Sequence, residues 1–144
     1  MIKKTYTFTD FNGVERTEDY RFNLRETELA EFMAKYGIDF QTYLEGVLKT
    51  QDTAKMMSFF KDFILSAYGE IKNNGAAFIH SAEISENFYY SEAYELLLNE
   101  LLDKPENVTE FFRGCLDNKL GAKFDEAKHN PDVQKKLKEY NVEI

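Results

Sequence analysis

The side chains able to do chemistry gather in one stretch, where Glu83, Glu86, Glu92, Glu95 and Glu100 follow in quick succession behind His80. Paired carboxylates are the tools of glycoside hydrolysis, which needs two of them facing each other across a bond. The spacing here is instead that of a solvated helical face. His80 and His129 are the only histidines and Cys115 the only cysteine. A zinc site takes about four ligands at suitable His or Cys spacing, and this set does not supply them; both histidines read as surface residues. Cys115 falls on an apolar helical stripe with no sequence neighbour to lower its pKa, so it reads as a small core residue rather than a nucleophile. No phosphate loop, dinucleotide fingerprint, calcium loop or nucleophile elbow is present. The expectation is no catalytic residue, no metal, no cofactor and no enzyme.

The aromatic run Phe88, Tyr89, Tyr90, with Tyr94 one turn on, is the stronger signal. Consecutive aromatics point in different directions on a helix, so at least one of Tyr89 and Tyr90 lies outside the core. An amphipathic ring exposed there suits a protein interface. These four are the candidate protein-binding residues. The competing reading packs them against the N-terminal hairpin or the helix that carries Phe60, because exposed apolar patches are uncommon on soluble monomers.

The elements that position them can be read in order. Residues 2–23 alternate as a hairpin, with Ile2, Tyr6 and Phe8 on one strand and Tyr20 and Phe22 on the other. A two-residue Asn12, Gly13 loop would throw the two aromatic sets onto opposite faces. A three-residue loop, Phe11 to Gly13, sets Tyr6 opposite Glu18 and Phe8 opposite Arg16 and unites them, with Gly13 in the left-handed region. Asn23 with Glu26 forms a capping box for a helix carrying Leu29, Phe32, Met33 and Tyr36, which Gly37 stops. Asp39 starts a second helix with Phe40, Tyr43, Leu44, Val47 and Leu48 on one face. Asp52 starts a third, whose polar stripe is Lys55, Ser58, Asp62 and Ser66; the rest is apolar, so it is central, and Gly69 ends it.

The Asn74, Gly75 dipeptide predicts a small hairpin with Ile71 opposite Phe78. Ser81 caps a helix through Phe88. Ser91 caps another that turns Tyr94, Leu97, Leu98 and Leu101 inward and Glu92, Glu95, Asn99 and Asp103 outward. Pro105 opens a last core helix striped by Val108, Phe111, Phe112, Cys115 and Leu116. Beyond Lys119 large apolar residues thin out, and Asn130, Pro131 predict a short helix over about 132–140. The fold class is mainly α (α+β): an N-terminal β-hairpin packed on a multihelical single-core domain. Residues 1–118 form that domain, hairpin 1–23 and helical core 24–118, and 119–144 form a C-terminal extension.

Composition agrees with a folded binding module. At 144 residues with 43% hydrophobic and 15% aromatic content, the chain can bury roughly two-thirds of its unfolded surface around one core. A net charge of -8 repels phosphate backbones, which disfavours nucleic acid as a partner. One cysteine excludes an internal disulfide and fits a reducing cytoplasm. No apolar run has the length of a signal peptide or a membrane span, so no membrane partner is expected.

Four pieces of the chain, taken in order, resemble a known family. They are FNGVERTEDYRFNL leading into ETELAEF; FFKDFILSAYGE; NNGAAFIHS followed by EISENF; and SEAYELLLNELLDKPENVTEFFRG. Together they are similar to the tail assembly chaperones of siphophages and related prophages, especially those of Gram-positive hosts. Where relatives tend to be basic after the turn glycine, this chain has Ala76 and Ala77, and it continues well past the FFRG segment at which relatives end. The resemblance implies a non-enzymatic protein of the bacterial host cytoplasm, absent from the mature virion. It would bind and solubilise the tape measure protein, recruit major tail tube protein, and self-associate.

Two other classes compete. An acidic decoy that mimics nucleic acid needs carboxylates along one elongated face, and the mixed charges of KKLKE count against it. A carboxylate-dependent hydrolase rests only on the number of glutamates.

Overall fold

The computed structural model describes residues 1–36 and 53–116. The chain opens with β1 (Ile2–Thr9) and β2 (Glu15–Phe22), antiparallel, with Tyr6 opposite Glu18 and Phe8 opposite Arg16. This is the register that the common aromatic face demands. Asp10 N–H donates to the Val14 carbonyl at 2.8 Å, and Gly13 N–H donates back to the Asp10 carbonyl at 3.0 Å. Gly13, at φ 81°, takes the left-handed place that closes the three-residue loop. The Asp10 carboxylate ties the turn by accepting from the N–H groups of Asn12 and Val14 and from Arg16 Nε.

Helix α1 (Glu26–Tyr36) buries Leu29 and Phe32. Its start departs from the Asn23, Glu26 capping box. Glu28 Oε1 reaches back to Arg25 N–H at 2.9 Å, one residue before the helix, and Asn23 N–H is instead spent on the Ala67 carbonyl. The predicted second helix, from Asp39 to Leu48, lies outside the described residues, as do His129 and the helix expected over 132–140.

Helix α2 (Thr53–Ala67) buries Phe60, Phe63, Ile64 and Ala67 and leaves Met57 and Lys61 facing out. It ends at Ala67 and passes directly into β3 (Tyr68–Lys72). Gly69 therefore does not stop the helix. It sits in the sheet opposite Arg21, where a Cβ would fall 2.6 Å from the Phe78 ring and 2.7 Å from the Ile79 carbonyl. The turn at Asn74, at φ 57°, and Gly75, at φ 92°, returns the chain as β4 (Ala77–Ile79), with Ile71 opposite Phe78. The two hairpins join through Phe22 and Tyr68 into one antiparallel sheet of order β1-β2-β3-β4.

Ser81 caps α3 (Ala82–Tyr89), its hydroxyl accepting from Ile84 N–H at 3.2 Å. Ser91 precedes α4 (Glu92–Asp103) but does not cap it; its hydroxyl donates to the Phe88 carbonyl at 2.7 Å and holds the α3–α4 elbow. Tyr94, Leu97 and Leu101 are buried and Glu92, Glu95, Asn99 and Asp103 exposed, following the apolar period of α4. Pro105 occupies the first position of α5 (Pro105–Cys115), where its missing N–H has no helical partner to lose.

The fold is mixed α+β. Phe22 is the hinge between sheet and helices, fully buried with ring centroids 5.1 Å from Phe111, 5.6 Å from Phe88 and 5.7 Å from Tyr68. Phe63 and Phe112, 4.4 Å apart, carry the interior on toward α1. Each buried ring contributes about 1.5–3 kcal/mol from removal of apolar surface, so the aromatic interior dominates the packing. Backbone bonds finish the closure: Leu24 N–H donates to the Cys115 carbonyl at 2.7 Å, and Leu24 bridges Leu116 in parallel.

Candidate protein-binding surface

The groups singled out for chemistry do not converge. Glu83, Glu86, Glu92 and Glu95 are exposed on helix faces. Glu100 is half-buried and engaged, its Oε1 accepting from Lys4 Nζ at 2.6 Å and its Oε2 from the Tyr6 hydroxyl at 2.7 Å. Burial pushes that carboxyl up, but the bonds from Lys4 and Tyr6 outweigh it and hold it below the ordinary range. Among the described residues, no group of three His, Cys, Asp or Glu side chains is placed to hold a metal.

Cys115 is fully buried, and burial drives its thiol well above the ordinary value. His80 is not the free surface residue expected. Its Nδ1 lies 2.6 Å from the Tyr68 carbonyl and its Nε2 2.8 Å from Glu28 Oε2. The Glu28 contact is close in distance without the alignment of a hydrogen bond. His80 thus works as a clasp between β3, the α3 entry and α1.

The four candidate aromatics are graded from interior to surface. Phe88 is buried and stacks on Tyr68 at 4.5 Å and 16°, with the Tyr20 ring tilted against it at 5.1 Å. Tyr94 is buried against Phe88 and Tyr89, and burial pushes its hydroxyl up to about 12. Tyr89 is half-buried, with Lys61 Nζ 4.0 Å above its ring. Tyr90 is 69% exposed and touches Tyr89 edge-on at 4.9 Å. Phe88 packs on the hairpin, Tyr89 leans on α2, and Tyr90 stands clear.

Around this gradient lie two grooves. One, of about 720 Å³, runs between α2 and α4 with Met57, Lys61, Tyr89 and Leu98 in its walls. The other, of about 430 Å³, runs along the hairpin past Phe8, Arg16 and Tyr20. Phe11, Tyr90, Ser91 and Glu92 border both, so Phe11 and Tyr90 form a ridge between them. Phe11 is 82% exposed at the hairpin tip. The aromatic run pointed to Tyr90 but passed over Phe11, Met57 and Lys61. A large apolar residue inside a three-residue turn cannot pack on its own hairpin, and that was the signal available for Phe11.

A surface of this kind can hold an apolar side of another protein, with Glu92 and Glu95 at its rim. The family model described as phage tail assembly chaperone matches residues 1–143. The chain belongs to the phage tail assembly chaperone family. No curated protein and no solved structure matches it. The chaperone match takes in residues 119–143, which from sequence looked like an addition past the family's usual end. Tail proteins are accordingly its partners in general terms. No helix among the described residues of the chaperone is long and apolar enough to cross a membrane.

Proposed function

We propose that this chaperone holds the tape measure protein of a siphophage of a Gram-positive host, keeps it soluble in the host cytoplasm, and recruits tail tube subunits to it. The reading is non-enzymatic, and the chaperone leaves before the virion is complete. The observation that carries it is the Phe11, Tyr90 ridge, two large exposed rings standing between open grooves in a chain of this family.

A tape measure helix offers an apolar stripe at helical spacing, and a groove walled by Met57, Tyr89 and Leu98 presents matching surface. Phe88 and Tyr94 serve from behind, packed so that Tyr89 and Tyr90 are held in place. Net charge keeps such a complex in solution. A decoy of nucleic acid draws little support, since cations interrupt the carboxylates: Arg16 meets Asp10, Lys4 meets Glu100 and Lys35 meets Asp62.

Coexpression with the tape measure protein of the same phage tests the reading. A soluble complex that elutes together is expected, and its loss with the paired substitutions Phe11→Ala and Tyr90→Ala. A tape measure protein that stays insoluble beside the chaperone sinks the proposal.

A further inference from the structure

The sheet ends in β1, and among the described residues no other element hydrogen-bonds to the backbone of Lys3, Thr5, Thr7 or Thr9. The parity of the ladder follows from the turn. Asp10 turns both its N–H and its carbonyl toward Val14 and Gly13, so the even residues Ile2, Lys4, Tyr6 and Phe8 bond into β2. The odd residues therefore direct their backbone groups away from the sheet. Eight residues make a long edge by the standards of natural sheets.

Natural edges are blunted by proline, by bulges, by shortness, by charged side chains or by a covering helix or loop. β1 has no proline and a continuous register from Ile2 to Thr9. Its inward charge, Lys4, is already neutralised by Glu100 at 2.6 Å. Its inner face is covered only in part, since Ile2, Tyr6 and Phe8 are half-buried against the core and never fully enclosed. Among the described residues no element pairs with this edge, which leaves it open to another strand.

We propose that β1 is the seam between two copies of this chain, paired antiparallel about Thr5. The sequence of the strand selects that partner and that centre. A two-fold axis at Thr5 sets Thr5 against Thr5, Lys3 against Thr7, Lys4 against Tyr6 and Ile2 against Phe8 of the other copy. The outward backbone groups of Lys3, Thr5 and Thr7 then meet in three bonded pairs, about six hydrogen bonds. No like charges face each other, and each Lys4 keeps its own Glu100. Centring on Lys4 opposes two lysines directly, which is destabilising. Centring on Tyr6 sets Phe8 against Lys4. Only the Thr5 centre joins Ile2 to Phe8 and continues the half-buried face across the seam. The pairing does not depend on which tail protein the grooves hold.

The mass of the full chain in solution tests this, with a species of twice 16.9 kDa expected at tens of micromolar. Thr5→Pro removes an outward N–H that β2 does not use, so its circular dichroism should stay unchanged while its mass halves. Thr5→Cys supplies a second readout that does not depend on proline being tolerated. Bonded pairs bring opposing Cα atoms to about 5.5 Å, within disulfide reach, so oxidised Thr5→Cys should run as a covalent dimer, while Lys3→Cys should not. Cys115, fully buried, does not compete. A monomeric wild type, a folded Thr5→Pro that remains dimeric, or Lys3→Cys crosslinking as fully as Thr5→Cys would overturn the proposal.

Discussion

Lys4 and Glu100 meet at 2.6 Å, and this contact fastens the edge strand of the sheet to α4. The other oxygen of Glu100 takes the Tyr6 hydroxyl, and the Glu100 backbone carbonyl accepts from Asn107 Nδ2 at 2.7 Å. One residue thereby joins β1, α4 and α5. Replacing Glu100 with Gln should cost about 1 kcal/mol at neutral pH, a figure kept low because the pair is partly exposed. Urea denaturation measures it.

The same contact has a pH signature. The folded-state pKa of Glu100 is lowered from its ordinary 4.5, so its stabilising contribution is complete above that value. It fades as the pH falls through the depressed folded value. The stability gap between wild type and Glu100→Gln should accordingly shrink in acid, and a gap that stays constant from pH 7 to pH 3 would count against the ion pair.

The aromatic gradient predicts that neighbouring residues behave oppositely. Phe88→Ala removes a ring stacked on Tyr68 and should cost about 3–5 kcal/mol. Phe11→Ala and Tyr90→Ala, at exposed positions, should change stability by no more than about 0.5 kcal/mol. Their effect should appear in retention of the tape measure protein. Thermal denaturation beside a pull-down separates the two classes.

Glycine substitutions should rank by what stands in the way. Gly69→Ala drives a methyl group toward the Phe78 ring and the Ile79 carbonyl, and backbone cannot step aside. A cost of about 1–3 kcal/mol is expected. Gly114→Ala meets Ile2 Cδ1 at 2.8 Å and Ile2 Cβ at 2.9 Å; rotation relieves only the first, but Ile2 opens β1 and the strand end can shift, so the cost should be milder. Equal melting temperatures for the two variants would contradict this ranking.

Cys115 should resist thiol reagents in the native protein and react promptly in denaturant, since burial both hides the sulfur and disfavours the thiolate. Rapid labelling under native conditions would mean that α5 opens locally.

Periodicity and turn chemistry made most elements legible. The demand that Tyr6, Phe8, Tyr20 and Phe22 share a face selected the hairpin register, and Asn74 with Gly75 selected the second. Helical stripes on α4 and α5 marked most of their buried residues, although Leu98 is only half-buried and the small residues Ala93 and Thr109 are buried outside the stripes read from sequence. What stayed hidden depends on residues distant in the chain. Nothing local shows that Phe22 pairs with Tyr68 and fuses two hairpins into one sheet, or that Gly69 is needed for close approach and not to end a helix. The pairing of Arg25 with Glu28 displaced the expected cap because Asn23 was already committed to Ala67. Of the surface, Tyr90 was visible in its aromatic run, whereas Phe11 joined it only through the path of the hairpin.

The backbone bonds of Asn23 to Ala67 and of Leu24 to Cys115 set an order on synthesis. The two strands can pair with each other early, but Asn23 waits for the end of α2 and Leu24 for the final helix of the described body. Closing such widely separated contacts is slow compared with local helix formation. During that interval Leu24 and the ring of Phe22 lack the helix that encloses them, so that side of the core stays exposed until the helix has been made.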